Sequence, residues 1–159
     1  YYGWSPEEYR EAMASKLLRQ KVAYAVDADA EKITDAIESK VKGGSSDMQA
    51  IANELNAQRE GSVQYVGATW VPKDNQDGGL AAAAQKLSKG QISTVIKPTS
   101  GNGYYYVKLD DSNDSQIQYE YIFVPLKDFT QKLAAIKQEG KLQTFIKVEQ
   151  PATSQPAAQ

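Results

Sequence analysis

The chain has 159 residues, 41% of them hydrophobic, with 18 basic and 20 acidic side chains and a net charge of -2. That length suffices for one ordinary domain or a domain with a stalk, and the near-neutral balance offers no basic field for nucleic acid. Neither cysteine nor histidine is present, which excludes thiol nucleophiles, disulfides, His-dependent triads and any thiolate or imidazole metal site; no apolar run approaches the length that spans a bilayer.

The sequence opens on Tyr1 rather than Met and is read as a mature form or an excised fragment. Ser5-Pro6-Glu7-Glu8 is a helix start: Ser5 caps, Pro6 suits the first helical position and Glu8 stands where a capping-box acid belongs. Tyr9, Met13, Leu17 and Tyr24 follow at helical spacing, with Leu18 and Val22 widening the stripe. They predict a long helix over 6–25 whose apolar side packs on the domain that follows or on an upstream segment. Asp29 opens a second helix, with Ile33, Ile37 and Val41 four residues apart and Gly43-Gly44 to end it. Ser46-Asp47-Met48-Gln49 restarts a third, again with capping-box spacing, with Met48, Ile51, Ala52 and Leu55 on its apolar face.

Residues 63–66 and 69–71 read as one strand interrupted at Gly67 by a bulge or a close backbone approach. Turn chemistry fills 72–79, and Leu80, Ala83, Ala84 and Leu87 make one face of a short helix. Residues 93–97 and 104–109 are predicted strands joined by a Gly/Asn-rich connection at 98–103. Residues 117–124 form the best strand of the chain, rich in β-branched and aromatic side chains. Leu126, Phe129, Leu133 and Ile136 then give a helical stripe up to Gly140, and Leu142, Thr144, Ile146 and Val148 alternate as in a half-buried strand. The small, Pro-rich tail 150–159 is expected to be disordered.

Three local patterns invite a site and are better read otherwise. The acidic run 110–114 lacks the Gly and the terminal Glu of a calcium loop and reads as a solvated turn, and the triplet Asn113-Asp114-Ser115 is too short to be specific. Asp77-Gly78-Gly79 reads as a turn and cap, because no Lys or Ser/Thr follows at phosphate-loop spacing. The aromatic group Tyr65, Trp70, Tyr104, Tyr105, Tyr106, Tyr119, Tyr121 and Phe123 is denser than a core needs. Alternation puts Tyr104 and Tyr106 on one sheet face and Tyr105 on the other. Either one face is an aromatic surface able to hold extended or proline-containing peptides, or a helix covers each face; both readings stand at this point.

The succession of helices, strand with a Gly, short helix, G-x-x-S corner, strand, turn and strand resembles the parvulin-type peptidyl-prolyl isomerase (rotamase) domain, most closely in extracytoplasmic foldases and chaperones of the SurA/PrsA type. The likeness covers about 29–110. Leu87, Gly90 and Ser93 match the corner, and Gly103-Tyr104-Tyr105-Tyr106-Val107-Lys108-Leu109 matches the closing strand except that Tyr105 stands where the family carries histidine. Leu80 replaces a pocket aromatic, and the position of a catalytic Asp or Cys falls near Ala57 or Gln58. The family's first strand has no obvious place, and 117–124 is a substitute from the C-terminal side that would put Tyr121 where the first-strand histidine lies.

The resemblance implies an α+β fold with a mixed or antiparallel four-stranded sheet. It divides the chain into a chaperone-type helix at 1–28, the parvulin-like domain at 29–110, a completing strand-helix-strand at 111–149 and the tail. Tyr105 and Tyr121 stand as replacements for the catalytic histidines, and Leu80, Trp70, Leu87, Ser93 and Tyr104 as substrate-binding residues. Ordinary strand tyrosines are the plainer reading of the first two. The implied function is binding of unfolded or proline-containing segments of exported proteins, outside the cytoplasm, with weak or no catalysis and no metal or cofactor. An active isomerase using tyrosine hydroxyls and a cell-surface interaction protein are the alternatives.

Overall fold

The computed structural model describes residues 3–98 and 102–140. Two compact units divide the chain, one ending at Phe129 and one beginning at Thr130. In the first, α1 (Pro6–Val26), α2 (Ala28–Lys42) and α3 (Met48–Gln58) precede β1 (Gln64–Pro72), the five-residue α4 (Leu80–Ala84), β2 (Gly103–Ser112) and β3 (Gln116–Pro125). α5 (Asp128–Gln138) accounts for most of what is described of the second unit and has no buried residue. The expected strand at 142–148 and the tail 150–159 lie outside the described residues, as does part of the 98–103 connection.

Capping chemistry sets the helix starts. Ser5 and Glu8 form the expected capping box on α1. α2 begins before Asp29, because the Asp27 carboxylate accepts the Ala30 amide at 2.9 Å and leaves Asp29 inside the first turn. Asp47 caps α3 in the same way, through the Ala50 amide.

Of the packing expected of the apolar side of α1, the described residues show its C-terminal end, where Ala23 is buried and Tyr24 packs on the core. Leu18 lies about 100° and Val22 about 140° around the helix from Leu17, with Tyr9 about 80° the other way. Spread over that arc they stay exposed, Leu17 at 56% and Leu18 at 63%, and only Ala23 is buried.

The sheet is antiparallel in the order β1-β3-β2, so the strand that arrives last in sequence lies in the middle. β1 carries the expected irregularity at Gly67: two residues between Val66 and Thr69 oppose one between Tyr121 and Tyr119, a bulge. The β2–β3 hairpin closes on Asn113, whose side-chain oxygen accepts the Ser115 and Gln116 amides at 3.0 and 2.8 Å, so 113–115 form the expected turn, while 110–112 of the acidic run belong to β2 rather than to a solvated loop.

The expected fourth strand at 93–97 is absent among the described residues. That segment makes two isolated bridges to β2, Ile92 with Lys108 and Ile96 with Tyr105. One extra residue lies between the bridges on its side, and Ser93 meets the Val107 amide through its hydroxyl at 3.0 Å instead of a ladder carbonyl. The segment therefore touches β2 through single bridges and the Ser93 amide, which donates to the Val107 carbonyl at 2.8 Å, without forming a continuous ladder.

Candidate functional site

Pairing register decides which side chains share a face. Tyr105 pairs with Phe123, Val107 with Tyr121 and Leu109 with Tyr119, while on the other side Val66 pairs with Tyr121 and Val71 with Ile117. These residues therefore line one face, and Tyr104, Tyr106, Ile122 and Val124 the other, as alternation requires. α2 and α3 bury the second face with Ile37, Met48, Ile51, Ala52 and Leu55. Among the described residues, the helix over the first face is α4, whose Leu80, Ala81 and Ala84 close over Leu109, Ile117 and Tyr119. Being only five residues long, α4 covers one end and leaves Tyr105, Tyr121 and Phe123 half-buried.

The result is an aromatic row. Tyr105 lies 4.7 Å from Phe123 and 5.7 Å from Tyr121 between ring centroids, and Tyr121 lies 6.4 Å from Tyr119. Those separations are within the range of favourable aromatic pairs. Leu87 and Ile96 pack against the same cluster beside Leu80.

Two glycines make the arrangement possible. Gly90 adopts a φ of +80°, which favours a residue without Cβ, and its amide reaches the Leu109 carbonyl at 2.7 Å to fold the corner back onto β2. At Gly103 a Cβ would stand 2.2 Å from the Val124 carbonyl oxygen and 2.5 Å from the Phe123 ring, so glycine there lets β2 meet β3 at the aromatic row.

Polar groups fix the two ends of the row. At the α4 end the Tyr119 hydroxyl donates to Asp77 at 2.5 Å, and the same carboxylate accepts the Ala81 amide at 3.1 Å and the Asn75 side chain at 3.0 Å. Gly79, the formal cap, offers no side chain, so Asp77 both starts α4 and ties it to β3. Burial alone would push the Asp77 carboxyl up, but the hydrogen bonds from Tyr119, Ala81 and Asn75 hold it below the usual range. Burial and the Asp77 carboxylate push the Tyr119 phenol far above its ordinary value. Burial, then Tyr105 and Asp77, raise that of Tyr121. At the other end Asn102 donates from its side-chain nitrogen to the Tyr105 hydroxyl oxygen at 3.1 Å.

The structure thus brings Tyr105, Tyr121, Leu80 and Leu87 to one face. Ser93 stands beside them, with its hydroxyl engaged by the Val107 amide. Tyr104 and Trp70 are on the other side of the sheet. Tyr104 is 5% exposed in the α2–α3 core, its ring 5.0 Å from that of Tyr24. Trp70 pairs with Gln118, one residue out of step with the row. Ala57 and Gln58 lie exposed at the end of α3, in the layer that covers the opposite face. Phe123, Ile96, Asn102 and Asp77 are members of the site that sequence reasoning did not select. For Phe123 the signal was present, since Tyr119, Tyr121 and Phe123 recur at every second residue of a strand. Among the described residues, no group of three or more carboxylates is placed to hold a metal ion, and no helix is long and apolar enough to cross a membrane.

No curated protein and no solved structure matches the chain. A family model does: that of the PPIC-type PPIase domain, over residues 6–119. Its span takes in the three long helices, β1, α4, β2 and the first residues of the central strand. The chain belongs to the PPIC-type peptidyl-prolyl isomerase family, with an α+β parvulin-type domain whose substrates are peptides or polypeptides.

Proposed function

We propose that this domain is a foldase or chaperone module of the SurA/PrsA-like, extracytoplasmic kind, which holds unfolded or proline-containing segments of exported proteins and isomerises them weakly or not at all. The observation that carries the reading is the half-buried row Tyr105, Tyr121 and Phe123, which α4 leaves open beside Leu80, Leu87 and Ile96. A proline ring is apolar and lacks an N–H, so aromatic faces and aliphatic walls suit it. In this reading 29–110 is the parvulin-like core, completed by the strand at 117–124, and Tyr105, Tyr121, Leu80 and Leu87 are the contact residues.

Catalysis needs more than grip. Rotation about the amide faces about 18–20 kcal/mol, and lowering that requires a dry site with hydrogen bonds that favour the twisted form. A half-open face without histidine supplies little of this. The Tyr105–Tyr121 pair favours one second reading, an isomerase whose phenols do the work of the missing imidazoles.

Two measurements separate these readings. Titrating a proline-containing peptide into isotope-labelled protein should shift Tyr105, Tyr121 and Leu80 and spare Trp70; shifts confined to other surfaces would refute the site. Adding the protein to a proline-limited refolding reaction should leave the slow phase nearly unchanged. Strong acceleration that Tyr105→Phe removes would establish the second reading instead.

A further inference from the structure

Hydroxyl usage separates Tyr105 from Tyr24, Tyr65, Tyr106 and Tyr119. Tyr24 donates to the Gly103 carbonyl at 2.7 Å, Tyr65 to Glu120 at 2.5 Å, Tyr106 to the Thr34 carbonyl at 3.2 Å and Tyr119 to Asp77 at 2.5 Å. Each of those protons is committed to an oxygen of the protein. At Tyr105 the polarity is reversed: the phenol oxygen accepts, from the Asn102 side-chain nitrogen at 3.1 Å. A hydroxyl has one proton and two lone pairs. Occupying a lone pair with an amide N–H turns the proton away from Asn102, and accepting one hydrogen bond makes the hydroxyl a better donor in another.

The ring that carries this proton is held in place. Phe123 stands 4.7 Å and Tyr121 5.7 Å away, both on β3, and the Tyr105 backbone exchanges both of its hydrogen bonds with Ile96, at 2.8 and 2.9 Å. Gly103, two residues earlier, is pressed against Val124, which fixes where the strand begins. Asn102 itself is anchored there by its carbonyl, which accepts the Leu126 amide at 3.1 Å. The donor therefore has a defined position at the open end of the aromatic row.

The chemistry of the proposed ligand calls for such a donor. An X-Pro segment has no N–H at proline, so its polar handles there are carbonyl oxygens, which only donors can recognise. We propose that Asn102 is a positioning residue that presents the Tyr105 hydroxyl proton to a main-chain carbonyl next to the bound proline. This rests on the peptide-holding reading of the aromatic row and adds the polar contact that selects the backbone.

The test uses the whole chain and two probes: an X-Pro tetrapeptide, and the same peptide with the carbonyl before proline replaced by an alkene isostere. Tyr105→Phe and Asn102→Ala should each weaken the parent peptide about threefold to tenfold, as expected for one lost hydrogen bond. The double variant should lose no more than either single one, because both changes remove the same contact. None of the variants should alter affinity for the isostere. Asn102→Asp reverses the polarity, since a carboxylate takes the phenol proton. It should weaken the parent peptide at least as much. Circular dichroism and thermal melts confirm folding in each case.

Loss on Tyr105→Phe with none on Asn102→Ala, or additive losses in the double variant, would overturn the positioning role and leave the peptide-holding reading intact. Parent-like affinity in Asn102→Asp would overturn it too. Failure of the parent protein to bind either peptide at the row would sink the reading on which it rests.

Discussion

Asp27 offers the sharpest test of how the central strand is held. Its side chain is part of a residue only 2% exposed. One carboxylate oxygen accepts the Ala30 amide at 2.9 Å, and the other accepts Lys127 at 2.6 Å and Asp128 at 3.0 Å, a hundred residues away in sequence. It thereby caps α2 and ties down the chain just after β3. Asp27→Ala removes a cap worth about 1 kcal/mol. It also strands two partly buried amides at about 1 kcal/mol each, so the total is about 3 kcal/mol. At a urea dependence of about 2 kcal/mol per molar, the midpoint should fall by about 1.5 M. Asp27→Asn should fall in between, because its NH2 must face at least one of the three donors it replaces acceptors for. Urea unfolding followed by circular dichroism gives both numbers. A midpoint for Asp27→Ala within about 0.3 M of the parent would show that the tie contributes almost nothing and that β3 is held by its pairing and packing alone.

Gly103→Ala should destabilise by about 3 kcal/mol or more, because the new methyl meets the Val124 carbonyl, which cannot rotate away as a side chain would; a melt unchanged from the parent would contradict the close approach. The Tyr65 phenol is pushed up to about 12, mainly by its hydrogen bond to Glu120. The folded state therefore keeps a proton that the unfolded state releases near pH 10, and stability should fall as pH rises from about 10 to 12. Tyr65→Phe should show a shallower alkaline loss, measured by denaturant midpoints across that range. Asp110 is ion-paired with Lys108 at 3.6 Å, yet burial and then Glu120 raise it, and one of its oxygens has no hydrogen-bond partner. Its ionised form is the unfavourable one in the fold, so Asp110→Asn should be at least as stable as the parent at pH 7, with the difference shrinking as the pH falls through the raised value. Melts at the two pH values check the sign.

How far the sequence revealed this fold depended on how local each determinant is. The α1 start, the Gly67 bulge and the opposite facing of Tyr104 and Tyr105 rest on a few adjacent residues and were readable, whereas the α3 cap fell on Asp47, one residue past the Ser46 that capping-box spacing indicates. The start of α2 was displaced because Asp27 and Asp29 are both good caps, and only the Lys127 and Asp128 amides, a hundred residues on, favour the first. The strand expected at 93–97 had suitable residues but failed on register with β2, which composition does not encode. Of the candidate residues, Tyr105, Leu80 and Leu87, taken from motif spacing, and Tyr121, taken from the substituted strand, share one face. Trp70 and Tyr104 were drawn in by residue type; alternation already put Tyr104 out of phase with Tyr105, and the bulge sets the phase of Trp70.

The openness of the aromatic row follows from an inequality between the two sheet faces. On one side α2 and α3, 15 and 11 residues long, cover Tyr104 and Tyr106 to within a few per cent of full burial. On the other, α4 has five residues and its start is fixed by Asp77, so it can reach no further along the sheet than Tyr119 allows. A strand that carries Tyr119, Tyr121 and Phe123 on one face needs far more cover than one turn of helix provides. Burial therefore grades along the row, from Tyr119 at 6% exposure to the half-buried Tyr121 and Phe123. In a fold stabilised only for its own sake, that apolar surface would be covered or replaced by polar residues. Its position on the central strand, braced by pairing on both edges, gives a rigid platform whose rings lose little freedom when a ligand settles on them.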